Sequence, residues 1–246
     1  MSTSAKVTAR QRIENLLDDN SFVEIGAYVK ARNTDFNIQA KDTPSDGVIT
    51  GYGVINGGLV YVYSQDASVL GGSVGEMHAK KIASLYDMAM KTGSPVIGLI
   101  DSTGLRLQES VDGLNAFGQI YMKQSLASGV IPTVTAIFGN CGGGLSIVAG
   151  LSDFTFMEVE NAQLFVNSPN AITENRKEIC DNASAKFQSE EAGNVDFVGT
   201  EAEVIEGIRN LVSVLPSNNE DEASDLECYD DLNRAAEGIE NGGEDT

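Results

Sequence analysis

Two stretches decide the fold of this chain: PVIGLIDSTGLRLQES at residues 95–110 and PTVTAIFGNCGGGLSIVAG at residues 132–150. Each begins with a short apolar run that is typical of a buried strand, continues through a glycine-containing turn, and ends in a segment of helical character. Strands that alternate with helices indicate an α/β fold with buried parallel strands. The sequence therefore predicts an α/β protein in which the unit of strand, turn and helix occurs twice.

Further strands are predicted on both sides of these units. Residues 48–63 favour a β-hairpin, in which Asn56-Gly57 forms the turn because both central positions of a two-residue turn need positive φ. Two short runs at 153–159 and 163–166 also have strand character.

Three further helices are predicted. Residues 7–18 have the apolar spacing of a short amphipathic helix. The other two begin at capping-box pairs, in which a hydroxyl residue stands three positions before a glutamate. These pairs are Ser73 with Glu76, and Thr200 with Glu203 at the start of a helix over about 201–213.

The charge of the chain is strongly negative and unevenly spread. The 246 residues include 36 acidic and 16 basic side chains, a formal net charge of −20. Residues 220–246 hold eleven acids and one base, so we interpret 1–219 as the folded domain and 220–246 as an acidic linker or docking tail. Nucleic acids and anionic membrane surfaces require clustered lysine and arginine, and neither is an expected partner.

Cysteine and histidine are too rare for a disulfide framework or a conventional zinc site. The chain has one histidine and three scattered cysteines, Cys141, Cys180 and Cys228. The first seventeen residues lack the apolar core of a signal peptide, and no apolar window is long enough to span a membrane. We therefore expect a reducing cytoplasm, no direct membrane insertion and no bound metal.

The glycine turns after the two strands leave backbone N–H groups unpaired at a helix start. These amides and the helix dipole favour negative charge. Three interpretations of Thr103-Gly104 and Gly142–Gly144 stay open: close packing of helix on strand, an oxyanion hole shared by the two turns, and a phosphate cradle.

The side chains that usually carry acid–base chemistry have structural interpretations that we favour. With one histidine, a Ser–His–Asp arrangement would have to use it. The favoured interpretations are a buried His78, a packed Cys141 thiol, a helix-capping Glu76, a turn-fixing Asp101 and an Arg106–Glu109 ion pair.

Several motifs follow one another in the order in which a known protein family has them. They include DGVITGYGVINGGLVYVYSQD (46–66), GGSVGEMHAKKI (71–82), TGSPVIGLIDSTGLRLQES (92–110) and SGVIPTVTAIFGNCGGG (128–144). From residue 7 to residue 219, the chain resembles the N-terminal half of the carboxyltransferase component of biotin-dependent acyl-CoA carboxylases and decarboxylases. The resemblance implies a crotonase-type spiral of β-β-α units that binds an acyl-CoA.

In that family, backbone amides hold the thioester oxygen while the α-carbon becomes an enolate. The resemblance places these amides in the two glycine turns, at Thr103, Gly104, Gly143 and Gly144. Five positions depart from the family pattern: Thr103 and Ser110 stand where it has glycine, Leu105 and Gly142 where it has alanine, and Asn140 where it has proline.

Contacts to coenzyme A are also implied by the resemblance. Gly71 and Gly72 lie in a matching motif. The CoA phosphates need basic partners, and the candidates are Lys6, Arg10, Arg32, Lys80 and Arg106.

The resemblance further implies biotin as cofactor, carried on a partner chain. We expect a separate second carboxyltransferase half, a biotin carboxyl carrier protein, a biotin carboxylase and self-association. The leading hypothesis is a carboxylase acting on a short acyl-CoA. The alternatives are a decarboxylase, which could be coupled to a sodium pump, and a non-catalytic assembly subunit. A crotonase-type hydratase is disfavoured because residues 145–151 contain no carboxylate.

Overall fold

The computed structural model describes residues 7–33, 42–168, 181–216, 218, 229–231 and 233–235. Within these ranges, strands form one mixed sheet with the order β1-β2-β3-β4-β5-β6-β8, and β7 pairs with β5. The strands are β1 (Val23–Ile25), β2 (Val48–Ile55), β3 (Gly58–Gln65), β4 (Val96–Ser102), β5 (Thr133–Gly142), β6 (Phe154–Glu158), β7 (Gln163–Phe165) and β8 (Phe197–Gly199). The first three strands are antiparallel and the other pairings are parallel, which confirms the predicted α/β class.

Helices cover both faces of the sheet. They are α1 (Ala9–Leu16), α2 (Glu76–Thr92), α3 (Ser110–Ala127), α4 (Gly144–Gly150) and α5 (Glu201–Val214). One hydrophobic core lies under α2, α3 and α4, and a second lies under α1 and α5. The strands alternate between them, since Tyr61 and Tyr63 enter the first core while Val60 and Val62 enter the second. Burial of both strand faces explains why the parallel strands are nearly continuous apolar runs.

The hairpin and two helix starts follow the sequence closely. Asn56 and Gly57 have φ values of 50° and 88°, as the two-residue turn requires. Helix α5 begins with the predicted capping box of Thr200 and Glu203. Helix α1 begins after a further capping box at Thr8.

The predicted capping box of α2 is wrong. The helix begins at Glu76 after Gly75, and no side chain of the preceding turn caps it. Its first amides bind carboxylates from distant segments instead: Glu76 N–H donates to Glu109 Oε2 at 2.5 Å, and His78 N–H donates to Asp46 Oδ2 at 2.8 Å. Local spacing could not reveal these partners.

Some predictions fall outside the described residues. Lys6, Cys180, Cys228 and most of the acidic tail at 220–246 belong to this group. Among the helices that the structure does describe, none combines the length and apolar character needed to cross a bilayer.

Ser110 has an unusual backbone conformation for a residue with a side chain, with φ 47° and ψ −120°. The family pattern has glycine here, and a positive φ costs a non-glycine residue about 1–3 kcal/mol. We expect Ser110→Gly to raise the free energy of unfolding, measured in urea titrations, by about 1 kcal/mol. This net gain is the strain relieved in the folded state less the stability lost because glycine gives the unfolded chain more conformational entropy. Ser125→Gly is the matched control in the same helix and should lower it. A Ser110→Gly chain that is less stable than the natural chain would contradict the inference that the backbone at Ser110 is strained.

Candidate active site

The two glycine turns lie side by side. They follow β4 and β5, which are parallel neighbours, and Ser102 at the end of β4 is opposite Cys141 near the end of β5. A Cβ built on Gly104 would lie 3.3 Å from the carbonyl oxygen of Gly142. The carboxyl ends of two adjacent strands thus bring the turns together, as the sequence predicted, at the sheet edge where α/β proteins place ligands.

Two of the four predicted oxyanion donors already have backbone partners. Thr103 N–H donates to Gly71 O at 2.9 Å, and Gly143 N–H donates to Phe165 O at 3.0 Å. Of the other two, Gly104 N–H donates to the hydroxyl of Ser102 at 3.1 Å. Gly144 N–H has no hydrogen-bond partner among the described residues. The geometry therefore narrows the candidate donors to Gly104 and Gly144.

Leu105 is a further candidate that the sequence did not indicate. Its neighbours on either side are bonded to Val74, through Val74 N–H to Gly104 O at 2.8 Å and Arg106 N–H to Val74 O at 2.9 Å. In this parallel bridge, the N–H of Leu105 is directed away from Val74, and it has no partner in the described part of the chain.

The second turn depends on glycine at two positions. Gly143 has φ 60° and ψ −125° and immediately precedes α4, a conformation that disfavours a side chain. A Cβ on Gly142 would lie 2.4 Å from the ring of Phe165. The ring therefore accounts for glycine at the position where the family pattern has alanine.

Ser102, the neighbour of Asp101, fixes the first turn. Its hydroxyl donates to Gly72 O at 2.7 Å and accepts the N–H of Gly104. Gly72 has φ 65°, and a Cβ there would lie 2.4 Å from Asp101 O. Gly71 and Gly72, predicted as CoA contacts, thus pack directly behind the first turn and hold it in place.

Arg106 does not face solvent. The residue is 3% exposed, and Nη1 donates to Asp46 Oδ1 at 2.6 Å and to Glu109 Oε1 at 2.9 Å. Nη2 donates to Ser73 O at 2.7 Å. The Arg106–Glu109 pair is confirmed, whereas the burial contradicts the prediction that Arg106 binds a CoA phosphate.

His78 completes the buried network around Arg106. Its Nδ1–H donates to Asp46 O at 3.0 Å, and its Nε2 accepts from Gln65 Nε2 at 3.1 Å. Burial, followed by the charge of Arg106, lowers the pKa of His78 to about 3. Burial raises the pKa of the Asp46 carboxyl, although the charge of Arg106 and its hydrogen bond oppose this shift. The prediction of a buried, structural histidine is confirmed.

Cys141 is also structural. The thiol is fully buried, and burial raises its pKa to about 12. A thiolate nucleophile requires a lowered pKa, so the prediction of a packed thiol is confirmed.

Two of the predicted basic residues meet on the surface. Arg32 and Lys80 both pair with Glu76, at 3.2 Å and 2.6 Å, and their side chains are 45% and 47% exposed. Arg32 also pairs with Asp112. Arg10, also half-exposed, pairs with Glu24 instead.

The two turns offer backbone amides and no acid–base side chain. Residues 103–105 and 143–149 contain no ionisable residue. Within the described ranges, no three His, Cys, Asp or Glu side chains are grouped so that they could hold a metal ion. Adjacent amides at a helix start suit a developing negative charge on one oxygen.

Residues 2–244 match the family model described as carboxyl transferase domain. The chain belongs to the carboxyl transferase domain family. It is 44% identical over 234 residues to methylmalonyl-CoA decarboxylase subunit alpha of Propionigenium modestum, covering 94% of this chain and 45% of that protein. It is 40% identical over 233 residues to the propionyl-CoA carboxylase beta chain of Roseobacter denitrificans, covering 93% and 46%. The chain thus spans about half the length of these relatives.

Solved structures show the same fold. Transcarboxylase 12S, solved as a hexamer with methylmalonyl-coenzyme A bound, has a TM-score of 0.83 and 37% identity, covering 89% of this chain and 44% of that one. A chain of a Pseudomonas malonate decarboxylase hetero-tetramer has a TM-score of 0.73 and 26% identity, covering 84% and 80%. The predicted crotonase-type fold is confirmed.

Removal of the Arg106 charge should strongly destabilise the fold. In Arg106→Met, the buried carboxylates of Asp46 and Glu109 lose their counter-charge, and we expect the free energy of unfolding in urea to fall by about 3–5 kcal/mol. The control is the triple variant Asp46→Asn/Arg106→Met/Glu109→Gln, which should recover part of the loss. If Arg106→Met alone lowered the free energy of unfolding by less than about 1 kcal/mol, the buried carboxylates would not depend on the charge of Arg106.

His78 should make the fold sensitive to mild acid. Because its pKa is lowered in the folded state, the unfolded chain takes up the proton first as pH falls below 6.5, and folded-state stability is lost from there towards pH 3. Between pH 7 and pH 5, we expect the free energy of unfolding to fall by about 2 kcal/mol more in the natural chain than in His78→Gln. Equal slopes in urea titrations would contradict this assignment.

Proposed function

We propose that this chain is the acyl-CoA-binding part of a biotin-dependent carboxyltransferase, which transfers a carboxyl group between carboxybiotin and a short acyl-CoA. The observation that carries the proposal is the pair of neighbouring amides, Gly104 and Gly144, at turns without ionisable side chains. Such a site can stabilise a charged oxygen but cannot itself move a proton. That property suits an enolate reaction in which the base comes from outside this chain.

In this reaction the amides would bind the thioester oxygen more tightly as its negative charge develops. Gly144 N–H is ready to donate, and it stands at the positive end of α4. Gly104 N–H would exchange its 3.1 Å bond to the rotatable Ser102 hydroxyl for the substrate oxygen. Each such donor is worth about 2.7–4 kcal/mol in the transition state. When bound, biotin supplies the carboxyl group and a ureido nitrogen that can accept the α-proton.

The carbonyls that bind Thr103 and Gly143 keep the two donors in place. Gly71 O and Phe165 O each anchor the residue next to a proposed donor. The turns are therefore rigid before substrate binds, which is the property that makes electrostatic stabilisation effective.

Arg32 and Lys80 are the described residues that we propose for the CoA phosphates. Both are exposed and pair with Glu76, the first residue of α2. Lys80 is itself on α2, the helix that follows Gly71 and Gly72, whereas Arg32 reaches it from the segment after β1. Because both also pair with Glu76, a bound phosphate would compete with that carboxylate.

The assembly and the direction of transfer are part of the proposal. We propose a short acyl-CoA carboxylase of the acetyl- or propionyl-CoA type, with a second carboxyltransferase half, a biotin carboxyl carrier protein and a biotin carboxylase as partners. The propionyl-CoA carboxylase relative supports it. A decarboxylase is the second candidate, because the identity to methylmalonyl-CoA decarboxylase subunit alpha is slightly higher.

The test is to remove one amide without losing the turn. Position 144 is the first residue of α4, where proline is tolerated, but a Cβ there would lie 2.7 Å from the Tyr121 hydroxyl. Tyr121→Phe therefore serves as background. We expect Tyr121→Phe/Gly144→Pro to lower kcat for carboxyl transfer by about 10²–10³-fold, since one donor is lost.

The matched control is Tyr121→Phe/Gly144→Ala, which has the added Cβ but keeps the N–H. Each variant is purified from its native cells with its associated chains and assayed in both directions. ATP-dependent incorporation of labelled bicarbonate into propionyl-CoA would indicate a carboxylase. ATP-independent loss of the carboxylate from methylmalonyl-CoA would indicate a decarboxylase. Equal rates for the proline and alanine variants would overturn the oxyanion site. An assembly with neither activity would overturn the function.

A further inference from the structure

Four charged side chains form a cluster where α2 and α3 begin. Arg32 Nε lies 3.2 Å from Glu76 Oε2, and Arg32 Nη2 donates to Asp112. Lys80 Nζ donates to Glu76 Oε1 at 2.6 Å. Glu76 is the first residue of α2, and Asp112 lies in the first turn of α3. We call these four residues the charge clasp.

The two bases of the charge clasp are matched by its two acids. The guanidinium of Arg32 has one carboxylate at Nε and another at Nη2. The hydrogen bond to Asp112 raises the pKa of Arg32, and the charges of Asp112, Glu76 and Glu109 add to this effect. An anion that binds Arg32 must therefore displace a carboxylate or bind against its repulsion.

The clasp is attached to the segment that supports the first turn. Glu76 is two residues after Val74, whose N–H and carbonyl are bonded to Gly104 and Arg106. The N–H of Glu76 itself donates to the buried carboxylate of Glu109. The backbone under Glu76 is thus fixed, so the clasp can open by rotation of its side chains.

The ion pairs of the clasp contribute little to the fold. The side chains of Arg32, Lys80 and Asp112 are 45%, 47% and 49% exposed. Ion pairs between exposed side chains are weak and are screened by salt. Their exchange for a bound anion therefore costs the folded chain little.

We infer that Glu76 and Asp112 compete with the CoA phosphates for Arg32 and Lys80, and thereby set the affinity of this chain for acyl-CoA. The inference rests on the proposed function, because that proposal assigns the phosphates to these two bases. Bound phosphates would replace the carboxylates on the cations, and the displaced acids would stay close enough to repel them. Carboxyl transfer changes only the acyl end of the thioester. The repulsion therefore weakens the binding of substrate and product alike and favours their exchange.

The experiment measures the affinity of clasp variants for three propionyl thioesters. The tagged 246-residue chain and its variants are purified from native cells with their associated chains, and each Kd is measured by calorimetry at low salt. The probes are propionyl-CoA, propionyl-dephospho-CoA, which lacks the 3′-phosphate, and the propionyl thioester of N-acetylcysteamine, which has no phosphate. Urea titrations establish that every variant is folded.

We expect Glu76→Gln and Asp112→Asn each to bind propionyl-CoA about three- to tenfold more tightly, because each removes one negative charge beside the phosphates. The gain should be smaller for the dephospho thioester, absent for the N-acetylcysteamine thioester, and below about twofold in concentrated salt. Asp87→Asn is the matched control. Asp87 is a similarly exposed acid on α2 that pairs with Lys123 of α3 at 2.6 Å, and its variant should change the Kd less than about twofold.

Arg32→Gln separates the competition from the phosphate site itself. We expect this variant to weaken the binding of propionyl-CoA by about tenfold or more. If it does so while neither acid variant tightens binding, the competition is wrong and the phosphate site stands. Equal tightening for all three thioesters would also contradict the competition, because the effect would not be directed at phosphates. An unchanged Kd in Arg32→Gln would overturn both.

The carboxyl-transfer activity is tested independently of the clasp. An assembly that binds propionyl-CoA more tightly in the acid variants, yet transfers no carboxyl group in either direction, would contradict only the proposed function. An active assembly whose Kd is the same in Glu76→Gln, Asp112→Asn and the natural chain would contradict only the competition.

Discussion

Two buried carboxylates, Asp46 and Glu109, share the positive charge of Arg106 and the amino end of α2. The three segments that they join are far apart in the sequence, and each one touches the candidate site or its support. Arg106 follows the first glycine turn, Asp46 precedes β2, and α2 follows the Gly71-Gly72 pair. A charge buried without its partners is costly. Displacing any one of these segments would therefore leave a buried charge in the others unpaired. Asp46 even adopts a left-handed backbone, with φ 50°, a conformation that persists only where its surroundings enforce it.

The chemistry that we propose comes from peptide groups that this network and the sheet hold in place. An amide is present at every residue except proline, so the side chains around a turn can change while the donor stays. Thr103 illustrates the point: it stands where the family has glycine, yet its N–H still anchors the first turn to Gly71 O. What the turns require is a fixed backbone path, supplied by Ser102 and Phe165.

Sequence reasoning succeeded where the determining forces are local or periodic. The alternation of strands and helices, the Asn56-Gly57 turn and the Thr200 cap all depend on neighbouring residues, and all were predicted. It failed where a partner is distant in the chain. The cap of α2 comes from Asp46 and Glu109, which have no periodic relation to Glu76. The glycine turns were located from the strand and helix pattern and their role from the resemblance, but which amides are free depends on the carbonyls of Gly71 and Phe165. Arg106 has the charge that a phosphate requires, but its side chain is buried. Tertiary packing determines that burial, and the local sequence does not reveal it.

The contact between Gly142 and Phe165 couples the residues that these two positions can hold. A first side-chain carbon at position 142 would lie 2.4 Å from the aromatic ring, so the ring would have to shift to admit alanine there. A smaller residue at 165 would also make room, at the cost of a void beside the second turn. The backbone carbonyl of Phe165, which binds Gly143, would survive either change. The ring therefore limits the size of the residue at 142, whereas the peptide group at 165 can hold the turn whatever side chain it carries.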